Sequence, residues 1–303
     1  MGTPDFAVPS LKMLIDEGYE VSAVITQPDK PKGRGKKVTA PPVKEYAVQR
    51  GIRVLQPEKV KTPEFAEQLR EIKPDLLITA AYGKILPKEV LDIPPLGCIN
   101  VHGSLLPKYR GAAPIHWSVI NGDKVTGITT MYTDIGMDTG DMLVKREIPI
   151  PEDITYGELY ERLALLGAEV LKETLVRLEN NTLERIPQND SEATYAPMIK
   201  KEIGLIDWNK SAREIHNLVR GTNPWPGAYT FYKGARLRIW KTELSDETFE
   251  EPVPGKLFKV TRDGVFVATG EGALKLREIQ FDSGRKMDIA ECWHNMEKGE
   301  ILG

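Results

Sequence analysis

The strongest constraint on the fold is an alternation along the first 180 residues. Short β-branched apolar runs at Val21–Ile25, Leu76–Ala80 and Cys98–His102 are separated by amphipathic stretches such as Glu64–Ile72. The helix at Glu64 is announced by Thr62, a suitable cap, and Pro63, suited to the first helical position. Strands buried on both faces and alternating with helices favour a parallel α/β sheet. Val125–Tyr132 and Met142–Ile150 read as further strands. Thr155–Asn180 reads as one long helix, with Leu159, Leu163, Leu166, Val170 and Leu178 near helical spacing.

After Asn180 the pattern changes. Asn180–Pro197 is polar and turn-prone, which suits a linker, and Ser211–Arg220 reads as a short helix. Five short strand-like runs follow, at Thr230–Tyr232, Arg236–Lys241, Gly255–Val260, Gly264–Ala268 and Ala273–Ile279. Such spacing suggests a small β-barrel. A chain of 303 residues is also long for a single core. The reading is a Rossmann-like, mostly parallel domain over residues 1–180, a linker over 181–206 and a small β-barrel domain over 207–303.

Several function classes are disfavoured. No apolar run reaches the roughly 20 residues that cross a bilayer, and no signal peptide is evident, so a cytoplasmic protein is expected. The only cysteines, Cys98 and Cys292, are read as reduced thiols, and no clustered ligands suggest a metal. Net charge is −3, so nucleic-acid binding would have to come from local patches. Met1–Phe6 reads as the tight turn between a strand and a helix near Pro9. A strand is therefore expected before Gly2, with Met1 an internal start. Gly2 alone is weak evidence for a nucleotide loop, because no G-x-G-x-x-G accompanies it.

The chemistry-bearing candidates begin with Asn100 and His102. Two apart on a strand, they share a face, and they sit at its C-terminal end, where open α/β sheets place ligands. An amide and an imidazole there can both donate to one developing oxyanion. On pattern alone, a strand-end cap is the commoner explanation of such a pair. The Gly-rich run Asp134–Asp141 is equally open: Asp and Gly build ordinary turns, but a carboxylate from it set against His102 would favour the imidazolium and could take a proton.

The runs Asn100–Pro107 (NVHGSLLP), Tyr109–Ile115 (YRGAAPI) and Met137–Asp141 (MDTGD) are similar to the folate-dependent formyltransferase superfamily. With Gly2–Phe6 (GTPDF), Thr26–Lys37 (TQPDKPKGRGKK), Ala81–Pro87 (AYGKILP) and Asn223–Gly227 (NPWPG), the resemblance narrows to the methionyl-tRNA formyltransferases and spans nearly the whole chain. The resemblance implies a catalytic trio of Asn100, His102 and Asp138. It implies tetrahydrofolate binding by Ser104, Leu105, Leu106 and Pro107, and more loosely by Ile85 and Leu86. It implies 10-formyltetrahydrofolate as donor, the methionyl amine of initiator Met-tRNA as acceptor, no metal, and a monomer. The strand before Gly2 is a family feature too.

Two basic regions are candidates for tRNA contact. Asp29–Lys37 holds Lys30, Lys32, Arg34, Lys36 and Lys37 in a Pro- and Gly-rich loop. A basic loop is usually only solvated surface, but the resemblance implies contact with the tRNA acceptor end, with Arg34 prominent. Val219–Thr242 carries Arg220, Lys233, Arg236 and Arg238 among Trp225, Tyr229, Phe231, Tyr232 and Trp240. At least half of these aromatics are expected in the barrel core, with the basic side chains meeting phosphates. The resemblance implies an OB-fold here. Competing readings are a related formyltransferase acting on an amino sugar, which would not need the basic loop, and a non-catalytic RNA-binding protein with a decayed transferase domain. A nucleotide-dependent oxidoreductase is the fold-level alternative, weakened by the missing glycine fingerprint.

Overall fold

The computed structural model describes residues 1–32, 37–249 and 253–303. Two compact units emerge: residues 1–114, 125–149 and 160–197 form one, and residues 115–124, 150–159 and 198–303 form the other. In the first unit a short 3-10 turn at Asp5–Ala7 leads into α1 (Val8–Asp16). There follow β1 (Val24–Ile25), β2 (Lys30–Lys32), β3 (Lys37–Thr39), α2 (Pro42–Gln49), β4 (Val54–Leu55) and α3 (Pro63–Ile72). Next come β5 (Leu77–Ala80), α4 (Lys88–Leu91), β6 (Cys98–His102) and β7 (Arg110–Gly111), while α5 (Pro114–Ile120) belongs, after its first residue, to the second unit. The remaining elements of this part are β8 (Val125–Tyr132), β9 (Met142–Pro149), α6 (Tyr156–Glu179) and β10 (Tyr195–Ala196).

The sheet that positions β6 has the order β5-β6-β8-β9. Strands β5 and β6 are parallel; β8 runs antiparallel to both β6 and β9. The core is parallel, as expected, and β8 is the strand that runs against the others. The reason is topological: the β8–β9 connection at Thr133–Asp141 is a turn, which reverses direction, whereas a parallel neighbour needs a crossover. A second parallel pair, β1 with β4, lies beside it. Met1 and Gly2 connect the two: Gly2 N donates to Ile25 O at 3.0 Å, and Ala80 N donates to Met1 O at 3.0 Å. At Gly2 a Cβ would stand 2.6 Å from Ala7 Cβ and 2.9 Å from Ala80 O, so the close approach requires glycine. This supports the tight-turn reading of that residue.

Local signals act as their chemistry dictates. Thr62 Oγ1 accepts from Phe65 N at 3.3 Å and Pro63 opens α3. Phe65 and Leu69 on that helix pack with Ile25, Leu77, Leu86 and Cys98. A cavity of about 730 Å³ in this unit is lined by Met1, Leu11, Ile25, Leu77 and their neighbours, and takes in none of Asn100, His102 and Asp138. The polar stretch read as a linker is paired into the unit: β10 runs parallel to β7, and Ile186 exchanges both main-chain hydrogen bonds with Met142 at 2.8 and 2.9 Å.

The second unit contains α7 (Ala212–Gly221), opened by a capping box in which Ser211 and Glu214 satisfy each other's N–H groups. Its strands are β11 (Ala228–Tyr232), β12 (Ala235–Ser245), β13 (Leu257–Thr261), β14 (Gly264–Ala268), β15 (Ala273–Phe281) and β16 (Met287–Asp288). They pair antiparallel in the order β11-β12-β15-β14-β13, with β16 beside β15. The core is chiefly aliphatic, with Ile215, Leu237, Ile239, Leu257, Val265, Val267, Leu274 and Ile279 all buried. Of the five interleaved aromatics only Tyr232 is buried, which corrects the expectation that at least half would be; Trp225 is 48% exposed. Among the described residues no helix is long and apolar enough to cross a membrane.

His116 of this unit is buried, stacked on Tyr156 with ring centroids 3.4 Å apart. Burial pushes its imidazole down to about 4, only partly opposed by the Trp225 carbonyl. The unfolded chain thus binds a proton that the folded chain refuses as pH falls from about 6.5 toward 4. Stability is retained above that window and lost through it, by on the order of 3 kcal/mol at the limit. His216, also pushed down by burial, acts in the same sense. His116→Phe is expected to lose less melting temperature than the parent between pH 7 and pH 5. An unchanged pH dependence would mean that His116 takes up its proton equally in the folded and unfolded chain.

Candidate active site

Strand β6 delivers Asn100 and His102 to one face. Across the parallel ladder Thr79 of β5 is the register partner of Asn100, and its hydroxyl donates to Asn100 Oδ1 at 2.8 Å. With the amide oxygen held, the Nδ2 hydrogens are the part of Asn100 available to a ligand. Thr79 was not singled out from the sequence. Knowing the β5–β6 register would have found it.

His102 is 5% exposed. Its Nε2 lies 3.0 Å from Tyr109 O. A carbonyl only accepts, so Nε2 carries hydrogen and Nδ1 is the atom that faces Asp138 Oδ2, at 3.7 Å. That separation is an electrostatic contact, longer than a direct hydrogen bond. The same Asp138 Oδ2 accepts from Gly111 N at 2.8 Å, which fixes the carboxylate rotamer. Gly111 has φ +119, and a Cβ there would meet Ala196 O at 2.9 Å, so glycine is required where β7 meets β10. Of the expected trio, Asp138 is thus set against the His102 imidazole, with Asn100 two residues back on the same strand.

The stretch after His102 is bound down mainly through its main chain. Thr129 Oγ1 donates to Ser104 O at 2.7 Å and accepts from Leu106 N at 3.2 Å, and Lys145 Nζ donates to Leu106 O at 2.5 Å. Ser104, Leu106 and Pro107 are buried and Leu105 is half-buried. Ile85 is exposed, whereas Leu86 belongs to the core around Phe65 and Leu69.

The basic candidates separate by burial. Arg220 is 7% exposed; its Nε and Nη2 donate to Asn217 Oδ1 and its Nη1 to Ile154 O. A guanidinium engaged internally is not presented to phosphate, so Arg220 is a structural residue and leaves the set of candidate tRNA contacts. The sequence cue was Asn217 at the i−3 position, one turn back on α7. Lys233 and Arg236 are exposed, Lys233 paired with Glu297 at 2.6 Å and Arg236 over the Tyr229 ring at 4.6 Å. Arg238 is half-buried and donates to Pro226 O at 3.2 Å. Lys30 is exposed on β2, which pairs antiparallel with β3; Lys32 and Lys37 fall on those strands. Arg34 and Lys36 lie outside the described residues.

The geometry can be set beside known proteins. Residues 1–175 match the family described as Formyl transferase, and residues 198–297 match Formyl transferase, C-terminal domain. The methionyl-tRNA formyltransferase of Acetivibrio thermocellus is 64% identical over 305 aligned residues, spanning 100% of this chain and 98% of that one. The chain belongs to the methionyl-tRNA formyltransferase family. The enzyme of that name from Ruminiclostridium cellulolyticum is 62% identical over 306 residues, covering 100% of this chain and 98% of the other. In fold this family member is similar to an N-formyltransferase of Helicobacter canadensis, solved with folinic acid and dTDP-3-aminofucose. The TM-score is 0.68, with 24% identity over 94% of this chain and 97% of the other.

The Thr79 hydroxyl gives the site a testable dependency. Thr79→Val removes the group that holds Asn100 Oδ1 while keeping shape. Turnover is expected to fall by about tenfold, the scale of one lost neutral hydrogen bond, with the melting temperature nearly unchanged. Full turnover in the variant would show that Asn100 needs no such support.

Proposed function

We propose that this chain transfers the formyl group of 10-formyltetrahydrofolate to the α-amine of methionine esterified to initiator tRNA, with Asn100, His102 and Asp138 as the acting residues. The observation that carries the reading is the convergence on His102. One ring nitrogen is held by Tyr109 O at 3.0 Å, and the other faces Asp138 at 3.7 Å. On the same strand face, the amide N–H groups of Asn100 are left to donate.

The donor set fits an acyl-type transfer. As an amine adds to a formyl carbon, negative charge grows on the formyl oxygen. Asn100 Nδ2 donates to that oxygen, and the positive charge of the His102 imidazolium stabilises it electrostatically. Asp138 balances the imidazolium charge and takes, directly or through water, the proton that the amine gives up; as the tetrahedral adduct collapses, the formyl C–N10 bond breaks and a proton is returned to N10 of the departing tetrahydrofolate. These hydrogen bonds and one cation supply the charge stabilisation, and holding two large substrates in register supplies much of the remainder. The segment Ser104–Pro107, its main chain held by Thr129 and Lys145, forms a wall for the folate, with Ile85 as the more accessible of the two looser candidates.

The acceptor is recognised elsewhere on the chain. Lys30, Lys32, Arg34, Lys36 and Lys37 supply the positive charge that meets the acceptor end. Lys233, Arg236 and Arg238 contribute from the second unit, which we assign to the OB-fold class. The enzyme acts as a cytoplasmic monomer in translation initiation.

Purified protein given labelled 10-formyltetrahydrofolate should move the label to Met-tRNA. Equal transfer to amino sugars, or none to Met-tRNA, would overturn the assignment. His102→Ala is expected to lower kcat by about 10²–10³-fold, the typical loss for one oxyanion donor, with folate affinity retained; a near-normal rate would remove His102 from its role. Arg34→Ala should weaken the tRNA-dependent rate and reduce the slope of log KM against log salt by about 1. Unchanged salt dependence would make the loop a bystander.

A further inference from the structure

Asp138 has φ +54, a left-handed conformation that a non-glycine residue keeps only when its surroundings hold it there. The Gly111 N–H holds its carboxylate. Its main chain is held by a different residue. Gln188 Nε2 donates to Asp138 O at 2.7 Å and to Gly140 O at 2.8 Å. Gln188 Oε1 accepts from Arg110 Nε at 3.0 Å. The amide orientation is unambiguous, because a guanidinium can only donate and carbonyls can only accept. Arg110 is itself 2% exposed and is anchored at its other end on Asp190 Oδ1, at 2.7 Å. Both N–H groups and the oxygen of Gln188 are thereby engaged, and all three bonds face the loop that carries Asp138 or the residue before Gly111.

We infer that Gln188 is a positioning residue for the transfer reaction, clamping the Asp138–Gly140 main chain so that the Asp138 carboxylate stays against His102. The inference rests on the catalytic role proposed for Asp138. Without the clamp two carbonyls lose their donors and the left-handed residue can relax. The carboxylate then leaves the imidazole, although nothing that would bind substrate has been removed. The effect should therefore appear in turnover rather than in affinity. Asp190 supplies the contrast. It completes the charge of Arg110 from an exposed position, with a side chain 82% accessible.

The test compares four variants of the full chain: Gln188→Met, which keeps length but removes every hydrogen bond, Gln188→Asn, Asp190→Ala and Asp138→Asn. Steady-state formylation of Met-tRNA and melting temperature are measured for each. Gln188→Met is expected to lower kcat by about 10–100-fold, with KM for both substrates within about threefold. Gln188→Asn, which retains the amide but is one methylene shorter, should recover part of that loss, and Asp190→Ala should stay within about twofold of the parent. The proposal is overturned if Gln188→Met keeps parental kcat, if it raises KM with kcat unchanged, or if Asp190→Ala loses as much turnover. It is also overturned if both Gln188 variants fail to fold, which would make the residue structural. Full activity in Asp138→Asn would instead defeat the catalytic assignment of Asp138. An inactive Asp138→Asn beside a fully active Gln188→Met defeats only the clamp.

Discussion

A buried imidazole needs a defined partner at each ring nitrogen, because an unsatisfied polar group away from water costs about 1–3 kcal/mol. His102, at 5% exposure, meets that requirement with two partners from different parts of the chain: the Tyr109 carbonyl at Nε2 and the Asp138 carboxylate facing Nδ1. Both partner residues are non-glycines with left-handed backbones, at φ +61 and φ +54. Conformations of that kind concentrate at functional sites, where surrounding contacts hold them. The organisation of the first unit near β6 can be understood as the supply of those contacts.

Much of that supply comes from one stretch after the long helix. Thr194 accepts from Tyr109 N through its hydroxyl at 2.9 Å and from Arg110 N through its carbonyl at 2.8 Å. Ala196 O accepts from Ala112 N at 3.0 Å. Together with Gln188 on the Asp138 side, these bonds steady both flanks of the imidazole. A segment rich in polar and turn residues can do this because its work is done by main-chain groups, one hydroxyl and one amide. An apolar face is not needed, so no hydrophobic pattern marks it.

The same distinction separates what was legible in the residues from what was not. Leu76–Ala80, Cys98–His102 and Val125–Tyr132 were legible as strands, α3 as a capped helix and α7 as a short helix, because periodicity and capping act over a few residues. The direction of β8 was not, since side-chain alternation is identical in parallel and antiparallel strands. The aromatics of Val219–Thr242 were placed too deep: an antiparallel sheet with one packed face fills its core from aliphatic alternates such as Leu237 and Ile239. Arg220 looked like surface charge until its helix turned it inward onto Asn217.

By itself the sequence determined that Asn100 and His102 share a face at a strand end, because alternation is a property of the strand alone. It also carried the motifs that relate the chain to its family along its full length. Tertiary structure alone decided which hydroxyl holds Asn100, which carbonyl sets the His102 tautomer and which amide clamps the loop of Asp138. Thr79 lies 21 residues from Asn100, and Gln188 lies 50 from Asp138. Contacts across such separations depend on how strands and loops are brought side by side, and no local period in the chain encodes that.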